Sequence, residues 1–345
     1  MVATHRIMGL AFVAFTSAAL CAASAVEAVE RTPEDGATGE LASSALGERS
    51  RNFVPPDGRT LLFIGQDLTA IREYIAMSGH VPDGFMTYTS IQQMQGLDSP
   101  ADYGAGVQHA QQLLEAYPGT ALQVGLWMVG GLPPLNEGAF DRQIDQLADW
   151  VARTGRSVYL RIGYEFDLPA NGYEPTAYVA AFRRIVDRFR VKQVANVAFV
   201  WHSWTNTISR PVMDWYPGDD YVDWFGISYF NPLQTAHAVA MATLAKAHGK
   251  PLMVAEATPS GIGTGEGEAS WEQWFEPLLR FVQDYDVKAL SYINWDWETI
   301  PMFRGQRWGD GRIQANKFVK SRWLAEMAGK RYGQAAGEGN RHGTQ

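Results

Sequence analysis

The segment VYLRIGYEFDLPANGY, residues 158–173, runs from apolar residues into a carboxylate, Glu165, and then into a turn rich in Pro, Asn and Gly. A second apolar run, KPLMVAE at 250–256, ends on another, Glu256. Continuous apolar runs bounded by turn residues read as strands covered on both faces, as in parallel sheets. One Glu at such a place is most often a surface residue. Two of them at strand ends have a more specific chemistry. A pair of carboxyl groups cleaves a glycosidic bond, one supplying the proton and the other attacking the sugar or activating water.

The residues around the other strand ends suit the same chemistry. Further apolar runs lie at 60–66, 84–89, 120–129, 196–203, 223–230 and 288–295. Asp67 follows the first of the eight runs, Trp127 stands in the third, and Arg161, Tyr164 and Asp167 flank Glu165 in the fourth. Trp201 and His202 close the fifth, Tyr229 the sixth, and Trp295 and Trp297 the eighth. Aromatic faces stack on the apolar faces of sugar rings, while acids, amides and His bond the hydroxyls. Trp and Tyr also fill cores, but the coincidence at eight strand ends, the second contributing Tyr88 to Ser90, weighs against packing as the whole account.

These residues need elements to position them. Between most of the apolar runs lie amphipathic stretches, at 140–155, 175–190, 237–249 and 270–285, with apolar residues at helical spacing. The pattern predicts an α/β fold, a single (β/α)8 TIM barrel over 57–330, because right-handed parallel crossovers close on themselves at eight units. Such barrels place their chemistry on the rim formed by the carboxyl ends of the strands. The fifth helix, in ISRPVMDWYPGDD, is poor, and a loop or short turn is expected there.

The remaining sequence sets the context. With 345 residues, 46% of them hydrophobic, the chain is long enough to bury a large core. A net charge of −8 speaks against nucleic acid or an anionic membrane as partner, since both demand a basic face. Residues 1–25 carry a short charged start, an apolar core and Ala23-Ser24-Ala25, the three-part form of a cleaved secretory signal. The expected location is therefore secreted or periplasmic, with no span in the mature protein. Cys21, the single cysteine, falls inside the removed segment. Residues 26–56 read as a flexible leader and 331–345 as a disordered tail.

The quoted segments also carry a resemblance. LRIGYEFDLPANGYEPTAYVAAFRRIVDRFR, NVAFVWHSW, WYPGDDYVDWFGISYF and KPLMVAEATPSG, in that order, resemble glycoside hydrolase family 26 of clan A, best known for β-mannanases. The resemblance covers roughly residues 120–300. It implies Glu165 as acid/base, Glu256 as nucleophile, and Arg161 as a buried cation beneath the site. It implies a strand-six Tyr beside the nucleophile, at Tyr229 or, by ungapped match, at the position of Phe230. Trp295, with Trp297 as the alternative, resembles the platform under the sugar. Tyr164 stands where the family has His, and Asp167 stands where it has Asn-Gly, which marks a distant branch with its own substrate.

The sequence thus leads to a secreted, retaining hydrolase of a β-linked polysaccharide or oligosaccharide, monomeric, with no cofactor. His202 and His248 lack spaced His or Cys partners, so no metal site is expected. A non-catalytic carbohydrate-binding barrel, or an accessory protein of exopolysaccharide assembly, is the alternative.

Overall fold

The computed structural model describes residues 53–206 and 210–333. The signal, most of the leader, and the tail beyond Gly333 lie outside the described residues. Eight parallel strands close into a barrel: β1 (Leu61–Gly65), β2 (Gly84–Ser90), β3 (Ala121–Trp127), β4 (Val158–Ile162), β5 (Val197–Ser203), β6 (Trp224–Tyr229), β7 (Leu252–Ala257) and β8 (Ala289–Ile293). Closure is made where β8 pairs with β1, Ala289 opposite Leu61 through Ile293 opposite Gly65. All eight lie where the apolar runs predict them.

Helices cover the barrel: α1 (Leu68–Ser78), α2 (Ala110–Ala116), α3 (Asp141–Thr154), α4 (Pro175–Val191), α5 (Thr235–Ala247), α6 (Glu276–Asp284) and α7 (Lys317–Met327). Between β5 and β6 the described residues hold only a 3-10 turn, Val212–Trp215, as the weak amphipathicity predicts. The α3 sequence, DRQIDQLADWVART, buries Ile144, Leu147, Ala148 and Val151 along one face and stops at Gly155 in the left-handed region. Its acidic face meets α4, where Arg184 makes two bonds of 2.7 Å to Asp141.

The packed unit extends slightly beyond 57–330. Phe53 and Val54 pack against the lower barrel interior, and Tyr159 Oη donates to the Phe53 carbonyl at 2.7 Å. At the other end Thr60 N donates to the Arg331 carbonyl at 2.9 Å.

The barrel interior changes character along its axis. Its amino end is apolar, filled by Phe63, Tyr159, Ala198, Val200, Trp224, Met253, Ala255 and Ala289. Above that layer Gln123 Nε2 donates to the Ala255 carbonyl at 2.6 Å, and Ser291 donates to Gln123 Oε1. Buried polar groups of this kind are stable only when paired. The carboxyl end is polar and carries charge.

Candidate active site

Side-chain alternation decides which strand-end residues face inward. On β4 it turns Tyr159 and Arg161 into the barrel, and on β5 it turns Val200 and His202 inward but Trp201 outward. Trp201 lies in the helix layer, stacked on Phe166 at 4.4 Å with its indole donating to the Trp215 carbonyl. On β6 the inward residue is Ser228. Tyr229 points outward, bonds Thr235 Oγ1 at 2.8 Å and packs on Trp274 and Phe281. The expectation of Trp201 and Tyr229 at the site is therefore corrected. Both are aromatic residues of the right strand ends but of the wrong parity.

Glu256 is inward through a local irregularity. Val254 to Ala257 spans three steps on β7, whereas its partners on β6 (Ile227 to Tyr229) and β8 (Leu290 to Tyr292) span two. A bulge adds one residue and re-aims the side chains beyond it. With Met253 and Ala255 already facing inward, the extra residue brings Glu256 inward too.

Glu165 comes from a turn beyond β4. Its backbone is left-handed at φ 52°, a conformation a non-glycine residue adopts at a cost of order 1–3 kcal/mol. The surroundings hold it there: Asn171 Nδ2 donates to the carbonyls of Tyr164 and Glu165 at 3.2 and 2.9 Å, and Phe166 N donates to the His202 carbonyl at 3.1 Å.

The two glutamates are each 1% exposed and belong to one polar line. Arg161 Nη1 is ion-paired with Glu256 Oε1 and lies 3.3 Å from His202 Nδ1. His202 Nε2 is 3.0 Å from Ser228 Oγ, and Ser228 Oγ donates to Glu165 Oε1 at 2.7 Å. The Arg161 guanidinium also lies between two rings, its Cζ 5.0 Å from the centroids of both Tyr88 and Tyr164, and it interacts with the Tyr88 hydroxyl. Gly125 leaves that space open, because a Cβ there would lie 2.6 Å from Tyr88 Cδ1.

Burial, then the charge of Glu256, pushes the Glu165 carboxyl well above the usual carboxylate range, against the pull of Ser228 and Arg161. A carboxylic acid kept protonated near neutral pH is suited to donate a proton. Burial, then the Arg161 charge, holds His202 well below its usual value, so the ring is neutral. Burial and the Glu256 charge push the Tyr88 hydroxyl up. Tyr88, at the end of β2, thus stands beside Glu256 where a strand-six Tyr was expected.

Asp167 is placed otherwise than a sugar ligand. Its two oxygens accept from Ser203 Oγ and Trp204 N, both at 2.6 Å, tying the turn after β4 to the end of β5. Burial raises it to about 6 despite those donors. Asp67 caps α1, accepting from Thr69 N and Ala70 N at 2.6 and 2.8 Å, and also bonds the Trp295 indole.

An aromatic cluster roofs the line: Tyr88, Trp127, Tyr164, Phe230, Trp295, Trp297, Phe303 and Trp308. Trp297 donates to Thr258 Oγ1 at 3.1 Å and lies 4.7 Å from Trp308. Phe303 and Trp308, in the segment after β8, escaped sequence reasoning because no periodicity marks a loop. Ser228 was also missed, although parity with Tyr229 points to it. A cavity of about 20 Å³ lies between Tyr88, Trp127 and Tyr164 of this cluster and the loop residues Tyr103 and Gln108. A cavity of about 720 Å³ lies elsewhere, among Tyr74, Pro82, Met327 and Tyr332, away from the carboxylates. Among the described residues no group of three His, Cys, Asp or Glu could hold a metal, and no helix is long and apolar enough to cross a membrane.

Comparison with known proteins bears on this arrangement. The model of glycosyl hydrolase family 26 matches residues 162–266, which include both glutamates. A β-1,3-xylanase of a Vibrio species is 32% identical over 306 residues, covering 80% of this chain and 66% of that protein. A β-1,3-xylanase of an Alcaligenes species is 32% identical over 300 residues, covering 79% and 64%. The chain thus spans somewhat less than two thirds of the length of these relatives. Among solved structures, a family 26 β-mannanase of Bacteroides ovatus superposes with a TM-score of 0.57 at 15% identity, covering 84% of this chain and 92% of that one. A modular endo-β-1,4-mannanase of Cellulomonas fimi does so at 0.57 and 16%, covering 84% and 74%. At such identities the structural likeness speaks to the fold.

Proposed function

We infer that this chain, which belongs to glycosyl hydrolase family 26, is a retaining glycoside hydrolase of a β-linked polysaccharide, with β-1,3-linked xylan as its substrate. One observation carries the chemistry: Glu165 and Glu256 are inward, buried and joined through Arg161, His202 and Ser228. The substrate class rests on the two β-1,3-xylanases, whose 32% identity exceeds the 15% and 16% of the mannanase structures. Tyr164, in place of the His expected of mannan-type relatives, weighs against mannan.

In the first step Glu256 attacks the anomeric carbon while Glu165 protonates the glycosidic oxygen, which leaves with the bonding electrons. Glu165, now a carboxylate, takes a proton from water, and the water oxygen opens the glycosyl ester on Glu256. Two inversions return the original configuration. Arg161 supplies the buried counter-charge for Glu256, and Trp295 and Trp297 supply faces for sugar rings. Gln66 Oε1, buried without a partner at the end of β1, is an acceptor that a sugar hydroxyl would satisfy.

The test is release of reducing ends from β-1,3-xylan, β-1,4-xylan, β-mannan and β-glucan by the wild type, Glu165→Gln and Glu256→Gln. Release from β-1,3-xylan that falls by at least about 10³-fold in Glu256→Gln supports the reading. Retention on one glycan without release by the wild type would replace it with a binding role, and cleavage of mannan alone would replace the substrate.

A further inference from the structure

The direction of every hydrogen bond between the two glutamates is set by Arg161. A guanidinium has donors and no acceptor, so Arg161 Nη1 donates to His202 Nδ1 across 3.3 Å. His202 is fully buried and neutral, and with Nδ1 accepting, its ring proton is on Nε2. Nε2 therefore donates to Ser228 Oγ at 3.0 Å, and the Ser228 proton is left for Glu165 Oε1 at 2.7 Å.

We propose that Arg161, acting through His202, makes Ser228 an obligate donor to Oε1 of Glu165, so that the proton exchanged with substrate and water is carried on Oε2 alone. Ser228 and His202 are then positioning residues; the proposal rests on the reading of Glu165 as the acid/base. In the first step the Oε2–H bond breaks as the glycosidic oxygen gains that proton and the bond to the anomeric carbon breaks with its electrons on oxygen. In the second step a water proton returns to Oε2 as the water oxygen bonds that carbon. Ser228 keeps its proton throughout and stabilises the carboxylate present between the steps.

The groups that face Glu165 are Arg161 on β4, Asp167 and Tyr173 beyond it, Glu256 on β7 and, through Ser228, His202 on β5. Ser228→Ala leaves them all in place and removes one donor to the ionised acid. The basic limb of kcat/KM against pH is expected to move up by about one pH unit, as loss of one hydrogen bond to a carboxylate implies, and Ser228→Thr is expected to restore it. An unshifted limb in an active Ser228→Ala enzyme overturns the proposal. A second measurement needs no substrate: 15N-histidine NMR of the wild type, with the ring assigned by its loss in His202→Gln. A neutral ring protonated on Nε2 supports the proposal, and one protonated on Nδ1 or on both nitrogens overturns it. Undiminished hydrolysis by Glu165→Gln would instead remove the underlying acid/base reading, while the NMR result would still decide the direction of the line.

Discussion

Asp167 illustrates how burial converts one side chain into a pH-dependent contribution. Its carboxyl is raised to about 6 in the folded protein from 3.8, so the folded state holds that proton more tightly than the unfolded chain. Its stabilising contribution is complete below 3.8 and is lost as pH rises through about 6. Asp167→Asn cannot titrate. The difference in unfolding free energy between wild type and variant is expected to change by about 2.4 kcal/mol from pH 4 to pH 7, with the wild type losing ground as pH rises. Denaturant titrations at the two pH values check this, and a difference independent of pH would contradict it. At this scale the sequence was legible in residue type and less so in direction. Glu165, Glu256, Arg161, Tyr164, His202 and the Trp residues after β8 all come together. Trp201 and Tyr229 share those strand ends but point to the helices, and Asp167 is consumed by Ser203 and Trp204.

Two short elements aim the glutamates: the sequence marks the turn after β4 but not the bulge in β7. PLMVAEA reads as an uninterrupted buried strand, yet a bulge within it turns Glu256 inward. The turn after β4 depends on Gly163, left-handed at φ 53°, where a Cβ would lie 2.5 Å from Met128 Cε and 2.9 Å from Tyr178 Cε2. Gly163→Ala adds a strained backbone to an overfilled site and is expected to cost about 2 to 4 kcal/mol of stability. Activity is expected to fall with it, because Glu165 lies in the same turn. Urea unfolding at constant slope measures the first effect, and a midpoint equal to that of the wild type would contradict the account. The regular elements were easier to read: eight apolar runs with helical stretches between them have few ways to bury their faces other than a closed barrel.

At the scale of the whole molecule the barrel is apolar at one end and charged at the other, and the charged end is covered. A polysaccharide of the proposed kind reaches carboxylates that are 1% exposed only when the rim opens. The segment after β8 is part of that cover, since Trp297, Phe303 and Trp308 belong to the aromatic cluster. Its fastenings include Gly309 N to Glu298 Oε1 at 3.0 Å and Gly261 N to the Trp308 carbonyl at 3.1 Å. With a β-1,3-xylo-oligosaccharide bound to Glu165→Gln, amides of residues 298–310 are expected to exchange faster with deuterium than in the free protein. Unchanged or greater protection there would mean that substrate enters by another part of the rim. This closure was not legible in the sequence, because it depends on how loops fold over a rim and not on any repeat along the chain.

The central claim is that Glu165 and Glu256 together cleave a β-linked xylan with retention. The most direct measurement is the proton NMR spectrum of the first reducing ends released from β-1,3-xylan, recorded before mutarotation, with Glu256→Gln as the control. The account predicts the β anomer first from the wild type and no release from the variant. The α anomer first, or equal release by Glu256→Gln, would contradict it.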